Sequence, residues 1–139
     1  MKYFLATVIV SSSLGALPVL ADNNVAISKA EVAAKSWLTL TDSGKYAQSW
    51  DNAASIFKAS ISKANWETTL KTVRIPFGDL KSRKLNSATF TRSLPGVPDG
   101  EYVVIQFTTQ FQNKASAIET VTSTHDKDSL WRVAGYFIK

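Results

Sequence analysis

Tyr102-Val103-Val104-Ile105-Gln106-Phe107-Thr108-Thr109-Gln110-Phe111-Gln112 is the stretch whose reading decides the fold. Val103, Ile105, Phe107 and Phe111 recur at a period of two on one face, while Gln106, Thr108, Gln110 and Gln112 occupy the other. That alternation predicts a strand with one buried side and one wet side. Pro95-Gly96-Val97-Pro98-Asp99-Gly100 before it is a turn cluster, and Lys81 to Leu94, rich in Thr and Ser, is predicted to be the preceding strand. Asn113-Lys114 turns the chain into a strand over Ala115–Thr124. His125-Asp126-Lys127-Asp128 is a polar turn into a last strand over Leu130–Ile138, in which Trp131 alternates with Val133 and Phe137. Sequential strands joined by short turns form an antiparallel meander.

Upstream of residue 80 the apolar period changes to that of helices. Ser28-Lys29-Ala30-Glu31 fits a capping box flanked by Ile27 and Val32, and Ala30, Ala33, Ala34, Trp37, Leu38 and Thr41 then share one side. Asp42-Ser43-Gly44 breaks that helix. A second is predicted from Lys45 to about Phe57, and a third opens at the N-cap Ser62, carries Trp66, Leu70 and Val73 inward, and ends at Pro76 and Gly78. Helices first and strands afterwards predict an α+β domain, with about three N-terminal helices packed on one face of an antiparallel sheet of about four strands.

The N-terminus predicts the compartment. Lys2, the apolar run Phe4–Leu17 and Val19-Leu20-Ala21 before Asp22 have the layout of a secretory signal peptide over residues 1–21, leaving one domain over 22–139. The apolar run is short of the ~20 residues that span a bilayer, so no transmembrane segment is expected after cleavage near Ala21. The expected location is the periplasm or the medium. With 45% hydrophobic, 11% aromatic and 19% charged residues the chain has globular composition, and with no Cys it must be held by its core rather than by disulfides.

Absent residue types narrow the chemistry. A chain without Cys has no thiol nucleophile or thiolate metal site, and neither a Gly-x-Ser-x-Gly elbow nor a Gly-rich phosphate loop occurs. The one His, His125, lies in a turn beside Asp126 and Asp128, a composition that reads as a solvated hairpin tip before it reads as a metal site. No metal and no cofactor are expected. Glu119, among small and β-branched neighbours, has two placements: outward and paired across strands with a residue such as Arg132, or inward, lining a pocket as a candidate base. Trp37, Trp50, Trp66, Trp131 and Tyr136 are the candidates for an aromatic ligand pocket, although core packing accounts for their positions on apolar stripes.

The net charge of +5 is unevenly spread. Lys71, Arg74, Lys81, Arg83, Lys84 and Arg92 face a single acid, Asp79, within one segment, a candidate basic patch for an anionic envelope surface or an acidic protein partner. With only Phe77 and Phe90 interleaved, the segment lacks the stacking platform that nucleic acid requires.

Several runs carry a resemblance: Asp42-Ser43-Gly44-Lys45-Tyr46-Ala47-Gln48-Ser49-Trp50, Leu94 to Val104, Glu119-Thr120-Val121 and the ending Trp131 to Lys139. On these the chain resembles the exported bacterial family filed as domain of unknown function 4019. The resemblance implies a Gram-negative exported protein and carries no catalytic or binding residue over. The element order is also similar to cystatin-like and NTF2-like architectures, a likeness of fold alone. The resulting expectation is a non-enzymatic module that binds a small apolar ligand, an envelope component or a protein. The alternative is a small isomerase or hydrolase using Glu119 as base, which requires Glu119 to be buried facing the helices. A homodimer through the Gln and Thr face of the sheet is a third possibility.

Overall fold

The computed structural model describes residues 16–139, with side chains described from Asp22 onward, so most of the expected signal peptide lies outside the described residues. Helix α1 spans Ala16–Asp42. The capping box expected at Ser28 is therefore not a helix start. Residues before Ser28 are already helical and supply the carbonyls that its first amides would otherwise lack. The inward stripe is Ala30, Ala34, Trp37, Leu38 and Thr41, all buried. Its small members let the helix lie close on the sheet, where Ser123 Oγ donates to the Ala30 carbonyl at 3.1 Å. Gly44, at φ +73°, takes the left-handed conformation that ends the helix.

The single helix expected from Lys45 to Phe57 is two, α2 (Tyr46–Asp51) and α3 (Ser55–Ser60). The break has a partner. Ala54 is extended, and its N–H donates 2.8 Å to the Val133 carbonyl, covering part of a sheet edge. Helix α4 (Lys63–Phe77) starts as its sequence predicts, with Ser62 Oγ accepting from the Asn65 N–H at 3.2 Å. Trp66, Leu70 and Arg74 point inward from it, so Arg74 takes the buried place expected for Val73, which is half-buried. Gly78 closes α4 at φ +75°, and a Cβ there would lie 3.0 Å from Gln112 and Asn113. Glycine is required twice over, by its backbone conformation and by the approach of the neighbouring turn.

Four strands, β1 (Leu80–Thr91), β2 (Tyr102–Phe111), β3 (Lys114–His125) and β4 (Trp131–Ile138), form one antiparallel sheet in the order β1-β2-β3-β4. The fold is α+β, with four helices preceding an open four-stranded sheet. On β2, Val103, Ile105, Phe107 and Phe111 are buried and Gln106 and Gln110 exposed, as the alternation predicts. Helix α1 touches all four strands from the buried side. Trp37, Phe57, Trp66 and Tyr136 meet there, with Trp37 and Trp66 ring centroids 5.9 Å apart. Fully burying one Leu, Val or Phe side chain stabilises by roughly 1.5–3 kcal/mol, so this single core is the main source of stability.

The last strand departs from its expected phase. Ser123 pairs with Val133 and Thr122 with Gly135, leaving Ala134 as an extra residue. The bulge shifts the alternation by one position. Tyr136 therefore turns inward with Val133, and Phe137, expected on the inner face, is 61% exposed.

Candidate functional site

Among the described residues, one acid lies on the buried face of the sheet. Glu119 on β3 is fully buried on the side facing the helices, with Phe107 as its β2 partner and Ile138 as its β4 partner. Its companion is Arg83 on β1 and not Arg132, the cross-strand partner proposed from sequence. Arg83 Nε donates to Glu119 Oε1 at 2.8 Å, and Thr109 Oγ1 donates to the same oxygen at 2.5 Å. The Tyr136 hydroxyl donates to Oε2. Three donors from three strands thus converge on one carboxyl group.

The network continues to the ends of two helices. Arg83 donates through both terminal nitrogens to Asp42, the last residue of α1, at 2.8 and 2.9 Å. Arg74 from α4 reaches the same carboxylate at 2.8 Å and Thr41 Oγ1 at 3.1 Å, with its guanidinium carbon 4.6 Å from the centroid of the Phe111 ring. Two arginines and two acids balance within the cluster. Burial pushes Arg83 down, but its hydrogen bonds to Asp42 and Glu119 and their charges outweigh that and raise its pKa above the ordinary value. Burial, with the Glu119 charge and hydrogen bond, pushes the Tyr136 phenol well above its usual value. Among the described residues, Arg74 Nε is the one buried side-chain polar atom without a partner.

Both oxygens of Glu119 are thus engaged, and Glu119 lines neither of the two best-formed cavities. The smaller, about 350 Å³, lies between Asp42–Gly44 and Arg74 at the outer end of the network. The larger, about 840 Å³, is an open groove between α1 and the start of β4. Lys29, Val32, Ser36 and Leu40 form one wall, Ser129–Val133 the other, and Trp37 contributes from beneath. Val32 is 69% exposed and Leu130 56% exposed, both large aliphatic side chains left uncovered in the same groove.

The groove's second wall is held by the β3–β4 turn. Asp126 accepts from the Ser55 N–H at 3.0 Å and from Ser55 Oγ at 2.6 Å, tying the turn to the first residue of α3. Arg132 donates to both oxygens of Asp128 at 2.6 Å. The Arg132 hydrogen bonds, joined by the Leu130 N–H and the Arg132 charge, outweigh the opposing effect of burial and bring Asp128 down to about 2. Burial pushes Asp126 up, but the Ser55 and Lys127 hydrogen bonds and the Arg132 charge prevail and lower it. Ser129 then adopts φ +69°, turning Leu130 toward the groove.

The remaining candidates separate. His125 stacks on Trp131 at 5.3 Å, with Nδ1 2.9 Å from Glu101 and Nε2 2.9 Å from the Ser129 carbonyl, so both ring nitrogens have protein partners. Among the described residues no cluster of three His, Asp or Glu side chains is placed to hold a metal. Trp37 and Trp66 are core residues whose indole N–H groups both reach Ser49, and Trp50 donates to the Ile61 carbonyl. Trp131 alone is half-buried at the groove. The basic segment does not present one surface. Arg74 and Arg83 turn inward, Lys71 pairs with Glu67 and Arg92 with Glu101, while Lys81 and Lys84 remain exposed. From sequence, Val32 has a place only as a flank of the Ser28 capping box and Leu130 only as the start of the last strand, and Leu40 has none. Val32, Ser36 and Leu40 recur at four-residue spacing beside the inward stripe, the one signal that could have shown a second apolar face.

Among the described residues no helix is long and apolar enough to cross a membrane. A family model described as Protein of unknown function (DUF4019) matches residues 33–136. No curated protein and no solved structure matches the chain.

Proposed function

From the premise that this chain belongs to the DUF4019 family, whose description names no activity, we propose that it is an exported, non-enzymatic module that binds a small apolar ligand in the groove between α1 and β4. The observation that carries the reading is the pair Val32 and Leu130, exposed in one groove of about 840 Å³, a volume typical of sites that take small molecules. Export rests on the signal-like residues 1–21. Trp131, half-buried at the groove, supplies flat apolar surface beside the aliphatic walls.

The isomerase or hydrolase reading has the burial of Glu119 in its favour. Against it stands the engagement of both carboxyl oxygens by Arg83, Thr109 and Tyr136, which leaves none directed at a substrate. Glu119 instead joins β1, β2, β3 and β4 beneath the helix layer.

Titrating a neutral apolar naphthylamine dye tests the reading. Wild-type protein should enhance its fluorescence saturably, and Leu130→Asp or Val32→Asp should abolish the enhancement while leaving the circular dichroism spectrum unchanged. Equal enhancement by the wild type and both variants would move the ligand site elsewhere.

A further inference from the structure

The groove's polar contacts identify a class of ligand, an inference that rests on the binding-module reading above. Its lining contains two ionisable side chains, Lys29 and Arg132, and no acid. They differ in availability. Arg132 is held by both oxygens of Asp128 at 2.6 Å and by Asp126 at 3.4 Å, so its charge is already balanced by the turn. Lys29 is exposed and makes no ion pair within 4.0 Å among the described residues. Glu31, the nearest acid along the helix, is two positions away, a spacing that sets the two side chains on different faces.

An apolar trough with one unbalanced cation in its wall is complementary to a molecule with an apolar body and one negative head. We infer that the groove takes a single-chain anionic amphiphile, its head against the Lys29 ammonium and its chain along Val32, Leu40, Leu130 and Trp131. Lys29 and Val32 are three residues apart on α1, which puts the cation directly beside the first apolar contact. The ammonium is a point charge on a flexible stem, so it selects the sign of the head and leaves its shape open, and a carboxylate or a phosphate monoester fits alike. The apolar walls supply most of the affinity.

Decanoate, decanol and decyltrimethylammonium, each below its micelle concentration, share a chain and differ in head charge. Their binding is read by the fluorescence change of Trp131 and Trp37, with Trp131→Phe identifying the reporter. Wild-type protein at low salt should bind decanoate most tightly. Lys29→Gln should weaken decanoate roughly two- to fivefold, the size of one exposed ion pair, and leave decanol unchanged. Lys29→Glu should reverse the order and favour decyltrimethylammonium. Decyl phosphate in place of decanoate distinguishes the head types. Equal binding of all three probes, with Lys29→Glu changing nothing, would overturn the assignment of an anionic ligand while the groove still stood as a binding site. Binding of none, or binding that survives Leu130→Asp, would overturn the groove reading and this inference together.

Discussion

Glu119 has three hydrogen-bond donors and no exposure, and that combination determines what substitution there does. Replacing it with Gln leaves Arg83 buried with one of its two acids gone, a change that costs about 3–5 kcal/mol when a buried pair is broken. Urea unfolding of Glu119→Gln should show that loss. A change below ~1 kcal/mol would mean the pair is solvated in solution. Tyr136→Phe removes the one donor to Oε2 among the described residues and should cost about 1–3 kcal/mol by the same measurement. Phe137→Ser, one residue on and 61% exposed, should stay within about 0.5 kcal/mol of wild type. The contrast between these neighbours reports the bulge directly. Much of this was legible at low resolution: Glu119 in an apolar strand required either water or a partner. Its partner was not, because Arg83 sits among cations in a segment that reads as a solvated patch. Thr109, between Phe107 and Phe111 on the buried face, has no place in the sequence reading, and its role follows from its hydrogen bond to Glu119.

Elements keep the phase their periodicity predicts until a tertiary hydrogen bond outweighs it. From Val103 to Phe111 β2 follows its alternation, and α4 begins after the N-cap Ser62, because local signals and burial agree there. The break between α2 and α3 answers to the Val133 carbonyl, and the bulge at Ala134 to pairing with β3, neither of which has a short-range signature. The link between α3 and the β3–β4 turn is also an acid-sensitive one. Asp126 titrates below its unfolded value, so its contribution is present above the ordinary aspartate pKa of about 3.9 and is lost as pH falls through the folded value. Asp128, brought to about 2, acts in the same direction. Asp126→Asn keeps an acceptor for Ser55 and removes the titration. Its urea midpoint should therefore fall less steeply than that of wild type as pH drops below about 4. Parallel curves would assign the acid sensitivity to other carboxylates.

At the scale of the whole molecule, one neutral ion network and one aromatic core fix the helix layer on the sheet, and the groove beside α1 remains open. That division separates the groups that hold the fold from those that can meet a ligand. The α+β order was readable from the chain because helical and strand periods are segregated along it. The groove was not, since it arises where the outer side of α1 faces a turn about a hundred residues away, and no local pattern encodes that distance. A ligand that binds only the folded protein stabilises it by about 2.7 kcal/mol at a hundredfold excess over Kd. Decanoate at that excess should thus raise the melting temperature of the wild type and leave that of Leu130→Asp in place.

The most direct test of the account is an amide NMR titration of the ¹⁵N-labelled protein with decanoate. Shifts confined to Lys29, Val32, Ser36, Leu40 and Leu130–Val133, with Arg83, Thr109 and Glu119 unmoved, are the predicted result. Shifts centred on Glu119 and Tyr136 would contradict it and return the buried carboxyl group to the position of a substrate-facing residue.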